Sequence, residues 1–248
     1  MQFPVRIKGK IMNKIPSIEE MLKAGMHFGH RTSKWHPKCA PYIYDSRNGV
    51  HIIDLLKSRK MLAEALDYIK KITAEDKIIM FVGTKMQAKK TIERISQECG
   101  MPYVSEKWMG GCLTNFAVIK KVIKKYNDLS RDKAAGTLDK YTKKERLDID
   151  RELGRLRLKV GGLSNVTRLP DAMFIWDIGH EKTAVVEAQK RNIPIIAVCD
   201  TNSDPSKINY PIPANDDATK TIKLIMGAVR DAVLEGKKKE NASTEEKK

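Results

Sequence analysis

The sequence predicts an α/β protein with a doubly wound, mainly parallel five-stranded sheet and an inserted antiparallel coiled-coil helical hairpin. Three observations carry this. Ile78–Val82, Ala172–Trp176 and Ile195–Val198 are short, unbroken apolar runs, the mark of strands buried on both faces. Helix-period stretches separate them, and strands alternating with helices imply a parallel sheet covered on both sides. Between residues 115 and 160 no strand pattern occurs, and two helical patterns flank a turn near Ala135-Gly136.

Residues 1–16 read as a basic arm, carrying Arg6, Lys8, Lys10 and Lys14 without an acid. Ser17 and Glu20 form an S-x-x-E capping box that starts the first helix, which ends near Gly25. The following segment, with Gly29, Pro37 and Pro41, reads as a loop. Val50–Leu55 reads as a strand, and Ser58–Ile72 as an amphipathic helix with Leu62, Ala65, Leu66 and Ile69 at helical spacing. Gly83 ends the strand Ile78–Val82, a helix follows over Met86–Cys99, and Tyr103-Val104 is a short edge strand. In the strand-free stretch, Val118, Val122, Ile123, Tyr126 and Leu129 form one stripe and Leu147, Leu153, Leu156 and Val160 the other. Two such arms pair as an antiparallel hairpin over 115–160. Beyond Ala172–Trp176 come a helix near Lys182–Arg191, the strand Ile195–Val198, a strand near Asn209–Ile212 and a last helix from about Asp216 to Leu234. The α/β domain therefore spans 17–114 and 161–235. Residues 236–248 bury too little apolar surface to offset their ordering entropy and are expected to be a disordered tail.

The chain of 248 residues is 41% hydrophobic, enough for a core without disulfides or metals. Lys and Arg total 47 against 31 Asp and Glu, a net charge of +16 that attracts polyanions, nucleic acid first among them. A membrane partner is not expected, because the longest apolar stretches are only of strand length. Cys39, Cys99, Cys112 and Cys199 lie far apart with no C-x-x-C pair, which suggests bystander thiols in a reducing compartment. No apolar segment of signal-peptide type follows the basic arm, so a cytosolic location is expected.

From Phe116 to Val160 there are 14 Lys and Arg against 7 Asp and Glu. Lys120, Lys121, Lys124 and Lys125 sit on neighbouring turns, and Lys143 and Lys144 open the second arm. Like charges at this spacing repel, and a phosphate backbone alongside would relieve the repulsion. The alternative is a solvated helical face. Between His27 and Lys38, Arg31, Lys34 and Lys38 interleave with Phe28 and Trp35, a mixture suited to phosphate contact and base stacking. Equally, the rings could seal the segment onto the domain with only the cations outward.

His27 and His30, with Asp200 and Asp216 in the acidic loops Asp200–Asp204 and Asp216-Asp217 at carboxyl ends of strands, are candidate metal ligands. The blander reading has Asp200 and Ser203 shaping a turn and Asp216 capping the last helix. No cofactor is expected, and a bound divalent cation stays open. Val82-Gly83-Thr84-Lys85 hints at a phosphate cradle, but neither G-x-x-x-x-G-K-[ST], G-x-G-x-x-G nor G-x-S-x-G occurs. No catalytic residues are expected.

Several blocks together resemble one family. They are Met21-Leu22-Lys23-Ala24-Gly25-Met26-His27-Phe28-Gly29-His30, Arg47 to Leu55, Phe81 to Lys85, Trp108-Met109-Gly110-Gly111-Cys112-Leu113-Thr114-Asn115, Leu169 to Phe174, Asp200 to Pro205 and Pro213 to Ala218. In order and spacing they are similar to the second protein of the bacterial small ribosomal subunit, over roughly residues 17 to 236. Met109 and Cys112 stand where that family varies, and the extension before Ser17 is longer than usual. The resemblance implies a Rossmann-like or flavodoxin-like domain with a coiled-coil insertion, and a structural protein rather than an enzyme. It also implies binding to small-subunit ribosomal RNA and neighbouring ribosomal proteins, including the large mRNA-binding first protein. Late assembly, a cytoplasmic ribosome (an organellar one being the alternative) and no DNA partner go with it. The Trp108–Asn115 block would form the root of the hairpin. Two other classes stand beside this one: a nucleotide-dependent enzyme on the same kind of sheet, and a free RNA chaperone or adaptor.

Overall fold

The structure, a computed structural model, describes residues 15–245. Residues 1–14 of the expected arm and the last three residues of the tail lie outside them. The central sheet has five parallel strands: β4 (Ile79–Val82), β5 (Tyr103–Val104), β6 (Ala172–Trp176), β7 (Ile195–Cys199) and β8 (Tyr210–Pro213), in the order β5-β4-β6-β7-β8. Alternate residues point to opposite faces, which divides the core in two. Phe81, Phe174, Trp176, Ile196 and Val198 face α1 (Ile18–Ala24), α2 (Leu55–Ala74), α3 (Met86–Cys99) and α7 (Thr219–Glu245). Met80, Val82, Met173, Ile175 and Ala197 face α6 (Lys182–Lys190) and the bases of α4 (Phe116–Ala134) and α5 (Lys143–Val160). Every residue of β4, β6 and β7 is buried, which is why these strands read as unbroken apolar runs.

Three departures from the sequence reading have local causes. Residues 26–49 are not simply a loop. β1 (Phe28–Arg31), β2 (Ile43–Arg47) and β3 (Val50–Ile53) form a separate antiparallel sheet in the order β1-β3-β2. β1 and β2 are short and carry few buried residues, so no apolar periodicity betrays them. The strand expected at Val50–Leu55 belongs to this small sheet and stops at Ile53, because the Asp54 side chain accepts from the amides of Leu56 and Lys57 and starts α2 there. At the other end, α7 runs on to Glu245 through the stretch expected to be a disordered tail. Gly236 is close-packed on α2, where an added Cβ would come within 2.7 Å of the Lys70 carbonyl oxygen. Lys237 Nζ donates to the Cys99 carbonyl at 2.8 Å, satisfying the end of α3. The Ser17/Glu20 capping box is present, with Gly25 closing α1 at φ +76°. All four cysteines are free and buried. Burial pushes the Cys39 thiol up to about 11 and those of Cys99 and Cys112 to about 12.

Candidate nucleic-acid interface

α4 and α5 fold back on each other, joined by a short turn in which Gly136 takes φ +70°. Ile119, Ile123 and Val160 are buried near the sheet, while Leu147, farther out, is 51% exposed and does not join the seam expected of it. Lys125 pairs with Glu152 across the helices, and Lys133 Nζ lies 2.8 Å from Asp150. At 100° per residue, Lys121 falls opposite Ile119 and Ile123, with Lys124 beside it and Lys120 on the flank. All three are exposed, as are Lys143 and Lys144 at the start of α5. Among the described residues these five lysines have no carboxylate partner, and Lys120 sits 5.1 Å over the Phe116 ring. Lys125, by contrast, is already partly neutralised.

The base of this helical pair is fixed by one carboxylate. Glu187 of α6 is buried and accepts from Trp108 Nε1 (3.1 Å), from the amides of Gly111 (2.8 Å), Leu113 (2.9 Å) and Thr114 (3.1 Å), and from Thr114 Oγ (3.1 Å). Burial works against its charge, but these donors hold its pKa below the ordinary range. Gly111 adopts φ +87° to aim its amide inward, a backbone conformation that favours glycine at that position. Arg191 closes the other side by donating to the carbonyls of Leu113 and Thr114.

The second basic surface follows β1. Arg31, Lys34 and Lys38 are exposed, with Lys38 Nζ 3.4 Å from Asp204. The segment is tied to the loop after β7: the His30 amide donates to Thr201 Oγ (2.9 Å) and the His36 amide to the Thr201 carbonyl (2.7 Å). Trp35 packs one side against His51, ring centres 5.4 Å apart, yet remains 40% exposed. Phe28 lies against His27 and is similarly open. Each ring thus both seals the segment and leaves area for stacking. This surface and the lysine face of α4 are carried on different elements.

At the carboxyl ends of the central strands lies a cleft of about 730 Å³. Lys85 after β4 and Asp177 after β6 occupy the point where the strand order reverses, the customary ligand position of such sheets. Here, however, Lys85 Nζ is held by Asp216 (2.7 Å), Asp217 (2.6 Å) and Asp177 (3.3 Å), and His30 Nδ1 lies 3.1 Å from Asp200. Burial disfavours the Lys85 charge, but the adjoining carboxylates outweigh it and raise its pKa. Burial, with Asp177 and Asp200 nearby, pushes the Asp216 carboxyl up to about 7. The contact with Asp200 raises that of His30. Four carboxylates repel phosphate, and the Gly83 amide is already spent on the Val104 carbonyl, so Val82–Lys85 is no phosphate cradle. Of the four candidate metal ligands, His30, Asp200 and Asp216 come together, whereas His27 turns to Phe28. Asp216 does not cap α7. Asn215 accepts from the amides of Asp217 and Ala218, shaping the turn that leads into α7. The turn expected at Asp200 and Ser203 is present.

The model of the family described as ribosomal protein S2 matches residues 21–236. The chain belongs to the ribosomal protein S2 family. It is 46% identical over 246 residues to the small ribosomal subunit protein uS2 of Christiangramia forsetii, covering 95% of this chain and 82% of that one. The uS2 proteins of Flavobacterium johnsoniae and Flavobacterium psychrophilum are each 48% identical over 224 residues, 90% of this chain and 88% and 84% of theirs. Ribosomal S2 proteins are structural and not enzymes, which removes the enzyme alternative. Among the described residues no helix is long and apolar enough to cross a membrane.

Two parts of the S2 chain escaped the sequence reading. Asp177 joins the cluster, and it stood at the carboxyl end of a recognised strand, a usable signal. Glu187 had none, since its partners are 73 to 79 residues away.

Proposed function

We propose that this chain is a structural constituent of the small ribosomal subunit in the cytoplasm, binding small-subunit ribosomal RNA through two basic surfaces. The first would be Lys120, Lys121 and Lys124, with Lys143 and Lys144. The second would be Arg31, Lys34 and Lys38, with Trp35 stacking. Neighbouring ribosomal proteins, the large mRNA-binding first protein among them, would bind the sheet domain as the subunit nears completion. The observation that carries the RNA reading is the set of exposed lysines without carboxylate partners among the described residues, with Lys121 and Lys124 facing away from the buried side of α4. Such charges gain free energy from phosphate by releasing its condensed counterions. The names of the relatives, all small-subunit proteins, support the assignment to the particle.

Sedimentation of tagged protein with sequencing of the associated RNA tests this. Small-subunit RNA should come down at low salt and be lost at high salt. Protein remaining free of subunits at low salt would refute the proposal.

A further inference from the structure

The small antiparallel sheet covers the domain with one face and leaves the other open. Phe28 of β1 stands directly opposite Ile52 of β3, and Val50, two residues before Ile52, points to the same side. Leu22 of α1 closes one end of this face, and Tyr44 of β2, where the register slips between Ile43 and Asp45, closes another. Together they line a groove of about 550 Å³. Leu22 is 48% exposed, Phe28 49% and Tyr44 77%, and Val50 and Ile52 are half-buried. An apolar face of this kind, contiguous and not a scatter of single residues, marks a surface that something covers.

We propose that the occupant is the chain's own segment Phe3-Pro4-Val5-Arg6-Ile7, which lies outside the described residues. Phe3, Val5 and Ile7 recur with period two, so an extended backbone turns all three to one side and Arg6 and Lys8 to the other. Three apolar side chains in a row match an apolar groove, and Pro4 suits a segment added at an edge. The connection is long enough. Residues 15–17 and one turn of α1 put Leu22 at most about 17 Å from Ile15, whereas residues 8–14 can span about 25 Å. Ile15 itself is packed against the core, which fixes where the segment starts. Charge agrees as well: Lys8, Lys10 and Lys14 pass the first turn of α1, which carries the exposed Glu19 and Glu20, and Asp45 stands on the groove. The segment would thereby clamp β1 and β3 onto α1 and leave Arg31, Lys34 and Lys38 uncovered.

A full chain carrying Phe3→Ser, Val5→Ser and Ile7→Ser together tests the proposal. All three positions precede the described fold, so folding should survive, as circular dichroism would verify. Fluorescence of the apolar dye anilinonaphthalene sulfonate should rise severalfold over the parent, and amide exchange in β1 and β3 should quicken. In a second full chain, Val5→Cys with Tyr44→Cys should close an intramolecular disulfide on mild oxidation, which requires Cα atoms within about 7 Å. Val5→Cys with Leu147→Cys, out on the hairpin, should not, and the four native thiols are buried. Equal dye binding by parent and triple variant would overturn the proposal, whether the groove is open in both or covered in both by a second copy, which ultracentrifugation would show as a dimer. Failure of the first cysteine pair to cross-link would overturn it equally.

Discussion

Because Glu187 is the common acceptor for Trp108 and for the amides of Gly111, Leu113 and Thr114, its loss strands buried donors as well as removing a charge. Hydrogen bonds to charged groups contribute about 1.5–3 kcal/mol each, and their effects within one network do not simply add. Glu187→Ala should therefore cost about 3 kcal/mol or more in urea unfolding. Its pH dependence has a definite sign. The folded-state pKa lies below the ordinary value of 4.5, so the stabilisation is complete above that value and is lost as pH falls through the lower folded one. The stability gap between the parent and Glu187→Gln should accordingly shrink on acidification toward pH 3, and a gap that widens would contradict the carboxylate's role. At this scale the sequence was legible where side chains act on their own neighbours, as in the Ser17/Glu20 box. It was illegible where, as with Glu187, partners meet only through the fold.

Elements were read well where burial imposes a period and poorly where it does not. β4, β6 and β7 stood out because both faces are covered, whereas β1 and β2 are exposed and carry polar residues at most positions. The far end of α7 misled for a related reason: Gly236 and the lysines after it look like tail composition, yet the missing side chain of Gly236 is what lets α7 approach α2. Gly162, after α5, illustrates the same kind of close approach. An added Cβ would lie 2.3 Å from the Tyr103 carbonyl oxygen, a backbone atom that cannot swing aside. Gly162→Ala should destabilise the chain by about 1–3 kcal/mol, the usual cost of overpacking, as measured by chemical denaturation. Gly154→Ala, with open space around its Cβ position, should not destabilise it.

For the whole molecule, net charge and family blocks were legible from the outset, but which cations remain available was not. Charge runs look alike until the ion pairs are seen, and the structure separates Lys125, paired with Glu152, from Lys120, Lys121 and Lys124. Charge reversal at Lys125 should therefore weaken incorporation into subunits less than reversal at Lys121, by competition in reconstituted particles. The most direct test of the central claim is the salt dependence of binding to small-subunit RNA, for the parent chain and for one with Lys120, Lys121 and Lys124 changed to Gln. Every phosphate that a lysine no longer neutralises should reduce the slope of log affinity against log salt by about 0.7–0.9. A slope shallower by about 2–3 is the predicted result for the triple variant. Superimposable slopes would show that these lysines face water, not RNA.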